Sequence, residues 1–477
     1  MSASEGRRRA VLVAITVALL AVAGPVWPVA AQPGVRPPGT PPPVNPAELP
    51  TQLEVNALPY VVNNTATQQV GPPQPTTACV QQSPDTAMDA ETEPANQNRL
   101  RIQEAHQFAT GRDQVVAVID SGVNRHPLLS DRLFDGGDYI ENRSGLYDCD
   151  GHGTVVAGLI AANSDPATRF IGVAPSAKIL SIRQGSSFYS VRLRSVTTGE
   201  ESYTPLAGDT ISMAQAVVRA VQGGATVINI SEAACFPAEP NQVNAQDLQA
   251  AVHYAVESNV VVVVAAANIS DQCQQNTPGQ LTTISSPGWF DDDVLTVAAT
   301  NKNDEAAEFS IRGPWVDVAA PGTGAVSLDV AGPGLTTTLV TSKGQRNPID
   351  GTSFAAPYVA GLAALVQERF PDLTARQIMH RIERTAQGTA GPGGRNDALG
   401  YGIINPVAAL TAVLPEEAGI TPERTSGGPL TDVILSPPED PRARTVALAG
   451  AGAAVGLLGL TMLIVYTIKW HRQHRSR

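Results

Sequence analysis

The chain has 477 residues, enough for a large folded domain with additional segments at its ends. Its net charge is −12, and no basic stretch is large enough to offer a surface to nucleic acid. The sequence has no CxxC motif and no Cys/His cluster. We therefore expect no metal and no cofactor.

Residues 1–31 are typical of a secretory signal peptide. The arginines 7–9 precede a short apolar run at 11–24, and the small residues 29–31 offer a cleavage site. The alternative is a retained membrane anchor, which the short apolar run disfavours because a spanning helix needs about 20 apolar residues.

Residues 32–98 are rich in Pro, Gln, Thr and Asn and have few apolar runs. Such a segment cannot build a core of its own. It is a tail, a propeptide or an arm that wraps the next domain, and Cys79 favours the arm because a disulfide would hold it.

Residues 99–412 alternate between apolar strand patterns and helical patterns. The predicted strands are 115–119, 177–182, 226–230, 260–265 and 294–298, and the predicted helices are 152–162, 211–221, 247–258 and 353–370. This alternation predicts an α/β fold in which helices flank a mostly parallel central sheet. The length is ample for one large core.

The C-terminal part of the chain predicts a tethered domain. Residues 413–444 form a proline-rich linker, and the uncharged apolar stretch 446–468 predicts a transmembrane helix over 445–468. A buried core helix is the alternative, which the flanking linker and the basic tail 469–477 disfavour. The basic tail places the C-terminus in the cytoplasm and the domain outside it, on the cell membrane.

An aspartate, a histidine and a serine occur in an order that suggests nucleophilic catalysis. Asp120 follows a buried strand, where sites form in open α/β sheets. His152 lies between two glycines at a predicted helix start, and Ser353 begins another helix after Gly-Thr. Singly, each residue is more often a cap or a structural residue. Together they provide a carboxylate, a general base and a nucleophile for acyl hydrolysis.

Asn268 ends the apolar run 260–267. A side-chain amide at a strand end can complete an oxyanion hole together with the backbone N–H of Ser353. The alternatives are a turn asparagine or a glycosylation sequon with Ser270.

Four cysteines, an even number in an exported chain, are expected to form disulfides. Four cysteines allow three pairings, and the sequence alone does not choose between them. We favour Cys79–Cys149, which would tie the arm to the loop before His152, and Cys235–Cys273, which would brace two loops beside the cleft.

Several segments together resemble the subtilisin-like serine proteases over about residues 99–412. They are Val116–Gly122, Gly151–Gly158, Gly172–Pro175, Val227–Ser231, Asp317–Gly322 and Gly351–Gly361. The resemblance implies a subtilisin-like fold, a triad of Asp120, His152 and Ser353, and Asn268 as oxyanion donor.

The same resemblance implies that Ser231, Glu232 and Ala233 form the edge that pairs with an extended peptide substrate. Glu232 is interpreted either as a solvated side chain or as a group that disfavours acidic residues in the substrate. The family usually has glycine immediately before the oxyanion asparagine, whereas this chain has Ala267, whose methyl group would narrow the pocket beside the scissile bond.

The whole layout is similar to the mycosins, membrane-anchored proteases associated with type VII secretion systems. It consists of a signal peptide, a Pro-rich arm with one cysteine, Asp148-Cys149-Asp150 before Gly-His-Gly, a linker and one C-terminal span. In that family the arm wraps the protease domain. The resemblance implies a serine endopeptidase whose partners are a peptide or protein substrate, a secretion membrane complex and the lipid bilayer. The alternative is a structural subunit of that complex in which proteolysis is dispensable.

Overall fold

A computed structural model of the chain describes residues 36–62, 67–81, 94–165, 168–205, 208–389, 392–418, 456–468 and 470. The predicted signal peptide, most of the predicted linker and most of the basic tail lie outside these residues. The chain divides into two units, Met1–Glu417 and Ala418–Arg477.

Seven parallel strands form the central sheet of the larger unit, which confirms the predicted α/β fold. The strands are β1 (Val115–Asp120), β2 (Leu133–Asp138), β3 (Lys178–Arg183), β4 (Val227–Ile230), β5 (Val261–Ala265), β6 (Leu295–Thr300) and β7 (Val318–Pro321). Their order is β7-β6-β5-β4-β1-β3-β2. Continuous Val, Ile and Ala runs suit the inner strands because helices cover both faces of a parallel sheet.

Six helices of the larger unit matter for the site. They are α1 (His152–Ala161), α2 (Thr210–Gln222), α3 (Gln246–Glu257), α4 (Thr352–Arg369), α5 (Ala375–Thr385) and α6 (Pro406–Thr411). Helices α1 and α4 pack against each other and are almost entirely buried, so both are rich in small residues. Their first turns therefore lie together at the edge of the sheet where β1 ends.

Short elements complete the larger unit. The remaining helices are Gln52–Asn56, Ala95–Leu100 and Ile102–Ala105, with 3₁₀ turns at Pro46–Glu48, Ser130–Arg132, Asp291–Asp293, Pro392–Gly394 and Pro415–Ala418. The antiparallel pairs are Ala234–Pro237 with Thr283–Ser286, Ser327–Leu328 with Leu335–Thr336, and Thr338–Val340 with Arg346–Pro348.

The described residues of the N-terminal segment contact the domain along their length. Thr67–Gln69 and Gln74–Pro75 both pair with the strand Tyr189–Ser195, which also pairs with Glu201–Pro205. Val55 is fully buried in the main core. These residues thus supply both backbone pairs and an apolar contact to the domain.

In the second unit, residues 456–468 are helical. Among the described residues, no helix combines the length and the apolar character that crossing a membrane requires. Residues 445–455 of the predicted span lie outside the described part of the chain.

Candidate active site

Asp120 and His152 form a hydrogen-bonded pair at the carboxyl end of β1. The carboxylate is fully buried, and its Oδ1 lies 2.8 Å from His152 Nδ1. The same oxygen accepts a hydrogen bond from the Ser121 backbone N–H at 2.7 Å. The His152 side chain keeps 25% of its surface exposed, so its other face is open to a substrate. A buried carboxylate that bonds one ring nitrogen fixes the tautomer and orientation of a general base.

Glycines allow the two elements to approach closely enough for this pair. A Cβ on Gly153 would lie 2.1 Å from the Gly122 carbonyl oxygen and 3.0 Å from Asp120 Oδ1. Gly151 caps the helix with a φ of 87°, a conformation that favours glycine. The glycines on either side of His152 are thus required by packing and backbone conformation.

Asp148 connects the turn after β1 to the start of α1. Its Oδ1 accepts hydrogen bonds from Gly151 N and Ser121 Oγ, and its Oδ2 accepts from the backbone and side chain of Thr154, all at 2.6–2.9 Å. Burial raises the pKa of this carboxyl to about 6, although the bonds from Thr154 and Gly151 oppose the shift. Asp148 is thus a positioning residue for His152, a role that its place in the Asp-Cys-Asp sequence did not reveal.

The pKa of His152 reflects its charged surroundings. Burial by itself would favour the neutral ring, but the charge of Asp120 and its hydrogen bond outweigh burial and raise the pKa to about 9. Glu232 and Asp148 add smaller contributions in the same direction. The ring is therefore stabilised as the imidazolium that forms when a histidine takes a proton.

The side chains of Ser353 and Asn268 both lie close to Gly351 at the start of α4. A Cβ on Gly351 would lie 3.0 Å from Ser353 Oγ and 3.4 Å from Asn268 Nδ2, so a larger residue would crowd both side chains. Asn268 Oδ1 accepts hydrogen bonds from Thr352 N at 3.0 Å and Thr352 Oγ1 at 3.1 Å. With its oxygen held, the amide presents its N–H groups to the space beside the serine, as an oxyanion donor would.

Phe354 brings the two halves of the site together. Its ring lies against the His152 ring, with 5.0 Å between the ring centroids. Because Phe354 is the neighbour of Ser353, this contact places the first turn of α4 beside His152. The structure thus brings Asp120, His152, Ser353 and Asn268 to one edge of the sheet.

Both cysteine pairs lie at disulfide distance in the pairing that we favoured. Cys79 is bonded to Cys149, three residues before His152, and Cys235 is bonded to Cys273. The first joins the N-terminal segment to the loop that precedes α1. The second crosslinks the two segments that follow β4 and β5.

The family of the chain follows from its similarity to known proteins. The subtilase family model matches residues 111–402. Mycosin-1 of Mycolicibacterium smegmatis is 41% identical over 374 residues, which cover 75% of this chain and 81% of that protein. The chain belongs to the subtilase family, as a mycosin. Its enzyme class is accordingly that of the subtilisin-like serine proteases.

Solved structures agree with this assignment. The crystal structure of MycP1 from Mycobacterium smegmatis has a TM-score of 0.67 at 36% identity and covers 82% of this chain and 99% of its own. A mycosin-like chain in the structure of an intact ESX-5 inner membrane complex has a TM-score of 0.68 at 34% identity, covering 89% of this chain and 99% of its own.

This mycosin departs from the subtilase pattern at Ala267. The residue has a φ of 80°, in the left-handed region where the family pattern has glycine. A non-glycine residue there costs roughly 1–2 kcal/mol. The methyl group packs in a small apolar cluster with Cys273 and Ile311, beside Ala233 and Cys235. Directly before Asn268, the cost of the left-handed backbone at Ala267 is thus accompanied by apolar packing of its methyl group.

The predicted substrate edge of this mycosin begins at the nucleophile. Ser231 Oγ donates a hydrogen bond to the Ser353 carbonyl oxygen at 3.0 Å. Glu232, next along the edge, is half-buried rather than simply solvated. Its pKa is raised to about 8, because burial and the charge of Asp120 outweigh the attraction of His152. Ala233 continues the edge and is also half-buried.

Proposed function

We propose that this mycosin is a serine endopeptidase that cleaves peptide bonds with Asp120, His152 and Ser353. Ser353 Oγ attacks the carbonyl carbon while His152 takes its proton and Asp120 orients the ring. The Ser353 N–H and the Asn268 amide hold the oxyanion of the tetrahedral intermediate. His152 then protonates the leaving amine, and water releases the acyl group from the serine.

One observation supports this proposal above the others. The buried carboxylate of Asp120 lies 2.8 Å from His152 Nδ1, and the His152 ring packs on Phe354, the chain neighbour of Ser353, with 5.0 Å between the ring centroids. A base that a carboxylate orients beside the residue carrying the nucleophile is the arrangement that acyl transfer requires.

Active-site labelling tests the proposal directly. We expect the exported region to react with a serine-directed fluorophosphonate and to cleave a peptide library. Ser353→Ala should abolish labelling and lower kcat by about a millionfold. Ser202→Ala, at an exposed serine in the strand Glu201–Pro205, serves as the matched control and should behave like the wild type. A wild-type enzyme that never labels would contradict the proposal.

We also propose that the protease domain works outside the cytoplasm, tethered by residues 445–468. Disulfides persist in exported proteins, and two cysteine pairs lie at disulfide distance. The apolar stretch and the basic tail after it support a single span with a cytoplasmic C-terminus. Truncation after residue 444 should move the protein from the membrane to the soluble fraction, and protease added outside the cytoplasmic membrane should reach only the domain.

A second role is a structural one in a type VII secretion membrane complex. Its support is the match, with a TM-score of 0.68, to a chain in the structure of an intact ESX-5 inner membrane complex. In that role the arm would wrap and stabilise the domain, as its strand pairs and the Cys79–Cys149 bond suggest. In a deletion strain, Ser353→Ala should restore secretion if this role is the essential one. Failure to restore it would make catalysis essential.

A further inference from the structure

A preformed pocket lies along the predicted substrate edge. Ser231 touches the nucleophile's residue through the 3.0 Å bond from its Oγ to Ser353 O. The next three residues, 232–234, line a cavity of about 190 Å³. At roughly 3.3 Å per residue, an extended peptide on this edge would place a side chain at the pocket within a few residues of the scissile bond.

The walls of this pocket are fixed by covalent and backbone links. Ala234 begins a strand that pairs with Thr283–Ser286, and its register partner Ser286 also lines the cavity. The disulfide Cys235–Cys273 joins the neighbours of Ala234 and Gln272, which both line the cavity. A pocket held in this way binds a side chain without first being ordered.

Two of the polar side chains that line the pocket are acidic. Glu232 and Asp209 line the cavity, whereas none of its described lining residues is Lys, Arg or His. Asp209 caps α2, and Tyr60 of the N-terminal segment donates a hydrogen bond to its Oδ2 at 2.8 Å. Arg183, the chain neighbour of Gln184, forms ion pairs with Asp138 and Glu141.

The side chain of Gln184 independently indicates that the pocket lacks a hydrogen-bond donor. Its side chain lines the pocket, is only 2% exposed, and donates through Nε2 to Asp209 O and Ser212 Oγ. Its Oε1 is buried and has no hydrogen-bond partner among the described residues. A buried acceptor without a donor is costly, so such groups in native structures point to a ligand or a water.

The remaining lining suits a long aliphatic stem. Met213 and Leu248, both almost fully buried, face the cavity from α2 and α3. Lysine and arginine side chains pack their methylene groups on apolar surface while the cationic head reaches acceptors.

We propose that this pocket binds a lysine or arginine side chain of the substrate, with Glu232, Asp209 and Gln184 recognising its charged head. The inference rests on the proposed endopeptidase function, because the occupant is a residue of the peptide being cleaved. Burial and the charges of Asp120 and Asp150 raise the pKa of Glu232, although the charge of His152 opposes them. A cationic head beside Glu232 would favour its ionised form.

Binding to an inactive variant tests the pocket separately from catalysis. The assay measures the binding of fluorescent peptides to the Ser353→Ala variant. Each peptide carries lysine, norleucine or glutamate at one position, and the four positions on each side of the scissile bond are varied one at a time. We expect one position at which lysine binds about tenfold or more tightly than norleucine, because hydrogen bonds to charged groups contribute about 1.5–3 kcal/mol. Glutamate should bind more weakly than norleucine there.

The variants at Glu232 make the test specific. Glu232→Gln should remove most of the preference for lysine, and Glu232→Lys should reverse it in favour of glutamate. Glu239→Gln, at an exposed glutamate outside the pocket, should leave the preference for lysine unchanged. Equal binding of lysine and norleucine at every position, or a preference that survives Glu232→Gln, would overturn the proposal. Fluorophosphonate labelling of the wild type reports on the proposed function independently, so the two failures are distinguishable.

Discussion

Two acidic regions lie side by side in this mycosin, and they differ in whether a basic side chain lies among their carboxylates. At the catalytic centre, Asp120 bonds His152 at 2.8 Å and Asp148 accepts four hydrogen bonds. In the neighbouring pocket, Glu232 and Asp209 face a cavity whose described lining has no basic residue. Partnered carboxylates hold a catalytic base in place. Carboxylates without a cation instead provide a place for a ligand's charge.

The two regions are also built by different parts of the fold. The centre is built by α1 and α4, two helices whose small residues allow close packing against the sheet. The pocket is built by loops after β3 and β4 and by the starts of α2 and α3, and a disulfide braces it. The centre therefore depends on the packing of helices against the sheet, whereas the pocket depends on connecting segments, which tolerate change more readily.

Among variants that keep Ser353, the largest expected effect comes from Asp120→Asn, which should lower kcat by about ten-thousandfold. An amide in place of the carboxylate can hold the wrong tautomer of His152 and no longer stabilises the imidazolium. Steady-state kinetics on a peptide substrate measure the loss. The lysine preference of the pocket, measured by binding on the Ser353→Ala background, should persist.

Asp271→Asn is the matched control for this prediction, because Asp271 is exposed and carries the same charge. Its kcat should equal that of the wild type. A loss of less than tenfold for Asp120→Asn would mean that the pair with His152 does not support catalysis.

A second contrast comes from removing each disulfide. The double variant Cys235→Ser/Cys273→Ser opens a link between residues 38 apart, and the free energy of unfolding should fall by about 4 kcal/mol. Because that link holds Ala234 and Gln272 in the pocket walls, the lysine preference should fall as well. Denaturant unfolding and peptide binding measure the two effects.

The double variant Cys79→Ser/Cys149→Ser is the control, since its link joins residues 70 apart and removing it should destabilise the protein by a similar amount of about 4 kcal/mol. It lies outside the pocket, so the lysine preference should stay. If both double variants lost the preference equally, the pocket would depend on overall stability and not on its own walls.

Most of the central sheet could be predicted, because runs such as 115–119 and Val261–Ala265 are short, continuous and rich in valine, as buried strands are. The pattern does not predict the two end strands, Leu133–Asp138 and Val318–Pro321. The first contains two glycines and two aspartates, and the second has only four residues and ends in proline.

The same limit applies to the site. Asp120, His152 and Ser353 stand in motifs whose glycines and helix starts indicate their chemistry. The pocket is different, because Gln184, Asp209, Glu232 and Gln272 come from separate segments and no spacing relates them. Their proximity is a product of tertiary packing, as is the orientation of Asn268 by Thr352. Such features become visible only when distances are known.

The smallest expected effect is a shift in the pH profile that couples the two regions. His152 must be neutral to accept the serine proton, and its pKa is raised to about 9, so kcat/KM should rise with pH into the alkaline range. Besides Asp120, the acidic neighbours that hold the proton on the ring are Glu232 and Asp148. Glu232→Gln removes one of these charges, so the rising limb should move to lower pH.

The preference of the pocket for lysine should also depend on pH, through the ionisation of Glu232. Its pKa is raised to about 8, and the charges that act on it come from Asp120, Asp150 and His152, with Asp209 lining the same pocket. Raising the pH ionises Glu232 and should strengthen the preference for lysine over norleucine in the Ser353→Ala binding assay. In Glu232→Gln the weaker preference should be flat with pH. His152 and Glu232 titrate over neighbouring pH ranges, so the kinetic and binding assays are both needed to separate them. If Glu232→Gln removes the preference for lysine but leaves the rising limb of kcat/KM in place, Glu232 acts on the substrate alone and not on His152.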